Sequence, residues 1–311
     1  MDRAEIVEWL LEGDPSVAWQ TQRDLAGADE TVWRPTRQLV SSQGWGRRLV
    51  DQQQSSGRWA GGLYQPKWTS TTYTLLLLRR LGLPPSDPAG IRGSAVLLDE
   101  ADWVEGGVSY WSGRLLAERC VNGMVLSIAS WFDTDDHRID SIAELLVRSA
   151  MADGGWNCRD HLGDTHSSFH TTISVLEGLA QWRRRTQRDD ADMAIVSGQE
   201  FLLAHRLFRS HRTGAVVSPH FLRFSFPPRW HYDVLRCLDH FQDTGAAKDD
   251  RAADALDVVA DRRRSDGRWP IGPRYSGEVY FRMEEGRRPG RWNSLRALRV
   301  LDWWNGGGQG G

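Results

Sequence analysis

The sequence is short of cysteine: Cys120, Cys158 and Cys237 are the three in 311 residues. An odd count at wide spacing argues against a disulfide framework and for a reducing compartment, with thiols available for chemistry or for a metal. A long hydrophobic run is missing too. No stretch approaches the roughly 18 apolar residues of a membrane span, and the opening MDRAEIVEWLLEG is charged and amphipathic without an apolar signal core. A cytoplasmic protein with no membrane span is expected. Charge of one sign is also lacking, with 39 Lys plus Arg against 41 Asp plus Glu and a formal net charge of −2. That balance removes any general electrostatic reason to expect a nucleic-acid partner.

What is present is repetition. Gly57-Arg58-Trp59, Asp153-Gly154-Gly155-Trp156 and Asp266-Gly267-Arg268-Trp269 each follow a polar amphipathic stretch, and weaker copies lie at Glu105–Gly107 and Arg212–Gly214. The steps of about 48 to 59 residues fall in the range of repeat architectures. Helical periodicity covers 3–12, 15–26, 30–54, 69–82, 88–103, 115–131, 138–151, 166–183, 189–208, 230–243, 249–264 and 291–304, with no convincing strand alternation. Helices starting near 15, 69, 115, 166, 230 and 291 are apolar on most faces, whereas partners such as DDHRIDSIAELLVRSA are half charged. The expectation is an all-α (α/α)6 toroid of six inner and six outer helices, one domain over residues 1–305, and a Gly-rich flexible tail at 306–311. The irregular segments that precede the inner helices all arrive at one rim, where function is expected.

The motif QQQSSGRW at 52–59 resembles the Gln and Trp repeat of squalene-hopene and related terpenoid cyclases, a superfamily that includes the β subunits of protein prenyltransferases. The likeness to those β subunits is sharpest from Glu118 to Leu179, in ERCVNGMVLSIASW, DGGWNC and GDTHSSFHTTISVLEGL. The resemblance implies a catalytic Zn²⁺ held by an Asp-x-Cys pair at one inner helix and a His at the next. Glu118 and Cys120 stand for the first, with Glu in place of Asp, and His170, about 50 residues on, for the last. Thiolate, imidazole and carboxylate form a normal zinc set, and three protein ligands with an open position make a catalytic site. Cys158 is the candidate fourth ligand, which would close the site into a structural one, and His166 is the alternative imidazole. Prenylation of peptides by that family also requires a separate helical subunit, a possible partner that this chain does not contain.

Other groups are placed to serve the same rim. His231, Tyr232 and Asp233, at the expected start of an inner helix, offer an imidazole beside a carboxylate for acid–base work. Lys67, Arg114, Arg119, Arg229 and Arg291 supply cations for an isoprenoid diphosphate. Trp68, Tyr73, Tyr110, Trp111, Phe169, Trp230, Tyr232 and Trp292 supply an aromatic lining for an isoprenoid or similarly apolar substrate. A zinc-dependent transferase or cyclase-like enzyme is therefore the leading expectation. Asp133-Thr134-Asp135-Asp136 matches the acid motif of class II terpenoid cyclases, giving a metal-free alternative in which a buried neutral carboxylic acid protonates an alkene. A non-catalytic toroid that binds through its rim is the third possibility. Finally, Arg296 and Arg299 on the apolar last helix need partners, for which Glu284, Glu285 and Asp24 are candidates.

Overall fold

The computed structural model describes residues 2–111, 116–132, 134–286 and 288–306. Arg114, Asp133 and most of the Gly-rich tail lie outside them. The protein is all-α, with helices α1 (Arg3–Leu11), α2 (Pro15–Asp24), α3 (Glu30–Gln38), α4 (Gly44–Val50), α5 (Thr71–Leu81), α6 (Pro88–Asp99), α7 (Arg119–Trp131), α8 (Arg138–Arg148), α9 (Phe169–Thr186), α10 (Asp192–Ala204), α11 (Val234–Asp243), α12 (Ala253–Asp261) and α13 (Arg291–Asn305). Local chemistry starts many of them. Asp2 and Glu5 form a capping box on α1, and Asp14 and Asp87 cap helices that open on Pro15 and Pro88.

Three expectations are corrected. The periodic stretch 30–54 is interrupted after Gln38 by a short 3-10 turn, so it forms two helices. The helices expected from 115, 166 and 230 begin at Arg119, Phe169 and Val234, where Glu118, Ser168 and Asp233, none of them in helical conformation, are the N-caps. The Glu105–Gly107 copy closes a two-stranded hairpin, β1 (Asp102–Val104) and β2 (Gly107–Ser109), instead of ending a helix. Glu105 and Gly106 both have positive φ, 53° and 85°, as the tightest hairpin turns require.

The three strong Gly-Trp turns are built identically. Each indole Nε1–H donates to a carbonyl ten residues back: Trp59 to Leu49 at 2.8 Å, Trp156 to Leu146 at 2.7 Å and Trp269 to Val259 at 2.7 Å. Each Trp backbone N–H donates to a hydroxyl on the next buried helix, from Thr71, Thr172 or Ser294, at 3.0 Å. A positive-φ glycine (Gly57, Gly154, Gly267) reverses the chain so that both bonds form. The turn thus ties the end of one helix to the start of another and leaves no buried polar group of the Trp unpaired.

Burial separates two kinds of helix. Along α7 every residue from Val121 to Ser130 is buried, and α9 is buried from Thr171 to Trp182, whereas α8 buries only Ile139, Ile142, Ala143, Leu145 and Leu146. Among the buried helices α5 packs on α7, α7 on α9, α11 on α13 and α13 on α2. The α7–α9 approach is the closest, because Gly123 and Gly178 face each other. A Cβ on Gly178 would lie 2.5 Å from the Gly123 carbonyl oxygen. Polar bridges link the remaining neighbours, with Arg236 on Glu177 between α11 and α9, and Trp19 Nε1–H on Leu81 O between α2 and α5. Arg299 reaches Asp24 at 2.7 Å, so the chain's last helix grips its second through one of the partners expected from the sequence. Its other carboxylate partner is Asp239 on α11, not Glu284 or Glu285.

Candidate functional site

The amino ends of α5, α7, α9 and α11 converge, and the candidate site is built there. The DGGW turn delivers Cys158 to the first turn of α7, where its Sγ accepts the Cys120 backbone N–H at 3.1 Å. Thr171, in the first turn of α9, donates its hydroxyl to the same sulfur at 3.5 Å. The side chain of Cys120 lies against this sulfur. It favours the Cys158 thiolate and lowers that pKa, while the same contact and burial push the Cys120 thiol well above its usual range. A helix amino end carrying an unpaired N–H is a place where thiolates are stabilised.

Aromatic rings surround this pair. Tyr73 donates or accepts a hydrogen bond with Tyr64 at 2.8 Å between hydroxyls, and burial raises the pKa of both. The Lys67 ammonium lies 5.5 to 5.6 Å from the rings of Tyr64, Trp68 and Trp230, a three-sided cage. Burial lowers its pKa, while Cys120 and Glu118 oppose that shift. Trp68 stands edge-on to Tyr73 at 4.8 Å and also lines an adjoining cavity of about 210 Å³ with Tyr275, Tyr280, Phe281, Ile271 and Arg229. Lys67, Trp68, Tyr73 and Trp230 are therefore together, as expected. Trp292 is not with them. It stacks on Phe226 at 4.3 Å and lines a second cavity. Of the other cations, Arg119 pairs with Asp160 and Arg291 lies near Glu12.

The expected zinc ligands are only partly gathered. Cys120, Cys158 and Glu118 are neighbours, but His170 is turned toward Tyr232, whose backbone N–H donates to Nδ1 at 2.8 Å. A neutral imidazole that accepts at Nδ1 carries its proton on Nε2 and has no lone pair left for a metal. Among the described residues no group of three or more His, Cys, Asp or Glu side chains is arranged to hold a metal ion. Zinc bound by all of these residues would require the His170 ring to turn away from the Tyr232 N–H. His166 does not replace His170, since it is exposed and faces Arg212.

The acid–base group expected at 231–233 does not meet as one. Tyr232 is fully buried with its hydroxyl on Leu207 O, and Asp233 caps α11 through the Arg236 N–H while facing Arg296. His231 is sandwiched between Trp230 at 3.8 Å and Tyr275 at 3.5 Å. Burial pushes its pKa down to about 3, too low for a base at neutral pH. Of the cyclase acid motif 133–136, Asp133 lies outside the described residues. Asp135 is exposed, and Arg138 hydrogen-bonds Asp136 and lowers its pKa, the opposite of a buried proton donor.

Burial holds His170 and His240 at about 4 and His231 at about 3, against about 6.5 for an unfolded histidine. Below pH 6.5 the unfolded chain takes up protons that the folded chain refuses, so stability is complete above that pH and is lost progressively toward pH 4. The melting temperature is expected to fall between pH 7 and pH 5. A flat profile over that interval contradicts the burial of these rings.

No protein-family model and no curated protein matches the chain. A crystal structure of a protein from Actinoplanes is similar in fold, with a TM-score of 0.51 at 16% identity over 98% of this chain and 100% of that one. At that identity the likeness concerns the fold alone. No helix of the described residues is long and apolar enough to cross a membrane.

Proposed function

We propose that the six most buried helices close into an α/α toroid and that the rim at their amino ends is the active site of a thiol-dependent enzyme with Cys158 as nucleophile. The observation that carries this reading is the convergence of two donors on Cys158 Sγ, the Cys120 backbone N–H and the Thr171 hydroxyl. Such contacts favour the thiolate over the thiol, and the thiolate is the reactive form. The caged Lys67 ammonium, which interacts with Cys120 and Glu118, supplies positive charge at the same rim, where negative charge develops on an attacked substrate. The aromatic walls and the cavity behind Trp68 suit an apolar, isoprenoid-like substrate.

Alkylation by iodoacetamide tests the reading, with the modified site identified by mass spectrometry. At pH 6.5 Cys158 is expected to react faster than a free thiol of pKa about 8.5. Thr171→Val and Cys120→Ala should each slow it by about tenfold at that pH, an effect that disappears above pH 9. A Cys158 rate that follows an ordinary thiol titration would sink the proposal. Zinc is the second reading, favoured by the contact between the two cysteines. It requires His170 to release the Tyr232 N–H, and elemental analysis giving about one tightly bound zinc per chain, lost in Cys120→Ala, would establish it.

A further inference from the structure

The carboxyl ends of the same helices enclose a second cavity, of about 310 Å³, lined by eight arginines and three carboxylates. The carboxylates are already committed. Glu177 is shared by Arg80 and Arg236, Asp239 by Arg296 and Arg299, and Asp243 takes Arg184. Asp24, just outside the lining, binds Arg299 and Arg23. Arg37 and Arg79 are left with neutral oxygens only, the Gly82 carbonyl at 3.0 Å and the Gln181 amide at 3.2 Å.

The cavity also holds unused donors. Arg296 has a side chain 3% exposed, yet both of its terminal nitrogens lack a hydrogen-bond partner among the described residues. Arg37 Nη2, Arg79 Nε and Arg80 Nε are buried and unpaired as well. A guanidinium near a helix carboxyl end gains a little from the helix dipole. That gain is small beside the cost of burying an ion whose hydrogen bonds are unmet. Consistently, burial and, for each, a neighbouring arginine lower Arg37 and Arg79 to about 10. An excess of buried positive charge with donors to spare is a receptor for an anion.

We propose that this cavity binds a diphosphate group, free or as an ester, through Arg37, Arg79, Arg80 and Arg296. Guanidinium forks match phosphoryl oxygens two at a time, and linked phosphoryl groups answer several forks together. The flat walls formed by Trp19, Trp131 and Trp292 leave room for an apolar or planar ester group beside the anion. This site is independent of the thiol reading, since it lies at the opposite ends of the helices that carry Cys120 and Thr171.

Titration calorimetry of the full chain with inorganic diphosphate tests it. One site per chain is expected, weakened about tenfold by Arg79→Gln and by Arg37→Gln, substitutions that leave no carboxylate unpaired. Arg58→Gln, in a pair with Glu100 on the surface, should bind as the unaltered protein does. Saturating diphosphate should raise the melting temperature of the unaltered protein, a measurement that stands even if a variant does not fold. ADP as ligand separates the two sources: tighter binding than inorganic diphosphate assigns the site to an ester, and equal or weaker binding to the free anion. The proposal is overturned if the unaltered protein shows no saturable binding, if Arg58→Gln weakens binding as much as Arg79→Gln, or if orthophosphate and citrate compete at equal concentration.

Discussion

Replacing Glu177 by alanine is expected to cost about 3–5 kcal/mol, the range for breaking a buried ion pair by removing one partner. Glu177 sits in the middle of α9 with its carboxylate on Arg80 at 2.7 Å and on Arg236 at 2.8 Å. Burial alone would raise its pKa, but the guanidiniums of Arg236 and Arg80 outweigh burial and hold it well below the usual carboxylate range. Its contribution is therefore present above about pH 4.5 and lost as the pH falls through the lower folded value. Alanine leaves two guanidiniums in a region already rich in them, one of them, Arg236, with a side chain 1% exposed. Urea denaturation measures the loss, and a cost below about 1 kcal/mol would show that water relieves those charges and that the network is not closed.

Trp156→Ala should be comparably severe, about 3–5 kcal/mol. The indole is 0% exposed, so its removal opens a large cavity. It also strips the Leu146 carbonyl of its partner at the end of α8, which adds the cost of a buried unpaired acceptor. Trp156→Phe separates the two terms, since it fills much of the space without donating a hydrogen bond. Because the same turn positions Cys158, Trp156→Phe should also slow alkylation of that cysteine more than Trp59→Phe does. Equal stability of Trp156→Ala and the unaltered protein would mean that this turn is not a tie between α8 and α9.

The equivalence of Trp59, Trp156 and Trp269 illustrates what could be foreseen. Their spacing and glycine neighbours are local features, and periodicity marked the helices they join to within a few residues at most ends. The pairing of Arg299 with Asp24 was also foreseeable, because a charge on an apolar helix has to be answered somewhere. The split of 30–54 and the hairpin at 102–109 were not, since short elements carry too few residues for periodicity to decide.

The chemistry was less legible. Cys120, Cys158 and His170 are one repeat apart or less, which predicted proximity and delivered it for the two cysteines and the caged Lys67. What decided their state was orientation: the His170 ring turned to accept the Tyr232 N–H, and Cys158 turned to cap α7. Spacing along a helix sets which side chains share a face, but not which lone pair points where.

By itself, then, the sequence determined the all-α class, the repeated Gly-Trp turn and the division into buried and half-buried helices, because these depend on patterns within some twenty residues. Only the tertiary structure decided the surroundings of Cys158 and the arginine-lined cavity. Arg37, Arg79, Arg80, Arg184, Arg296 and Arg299 look in sequence like ordinary basic residues on separate helices. They become one field only when packing brings those helices together and withdraws the water that would have screened them.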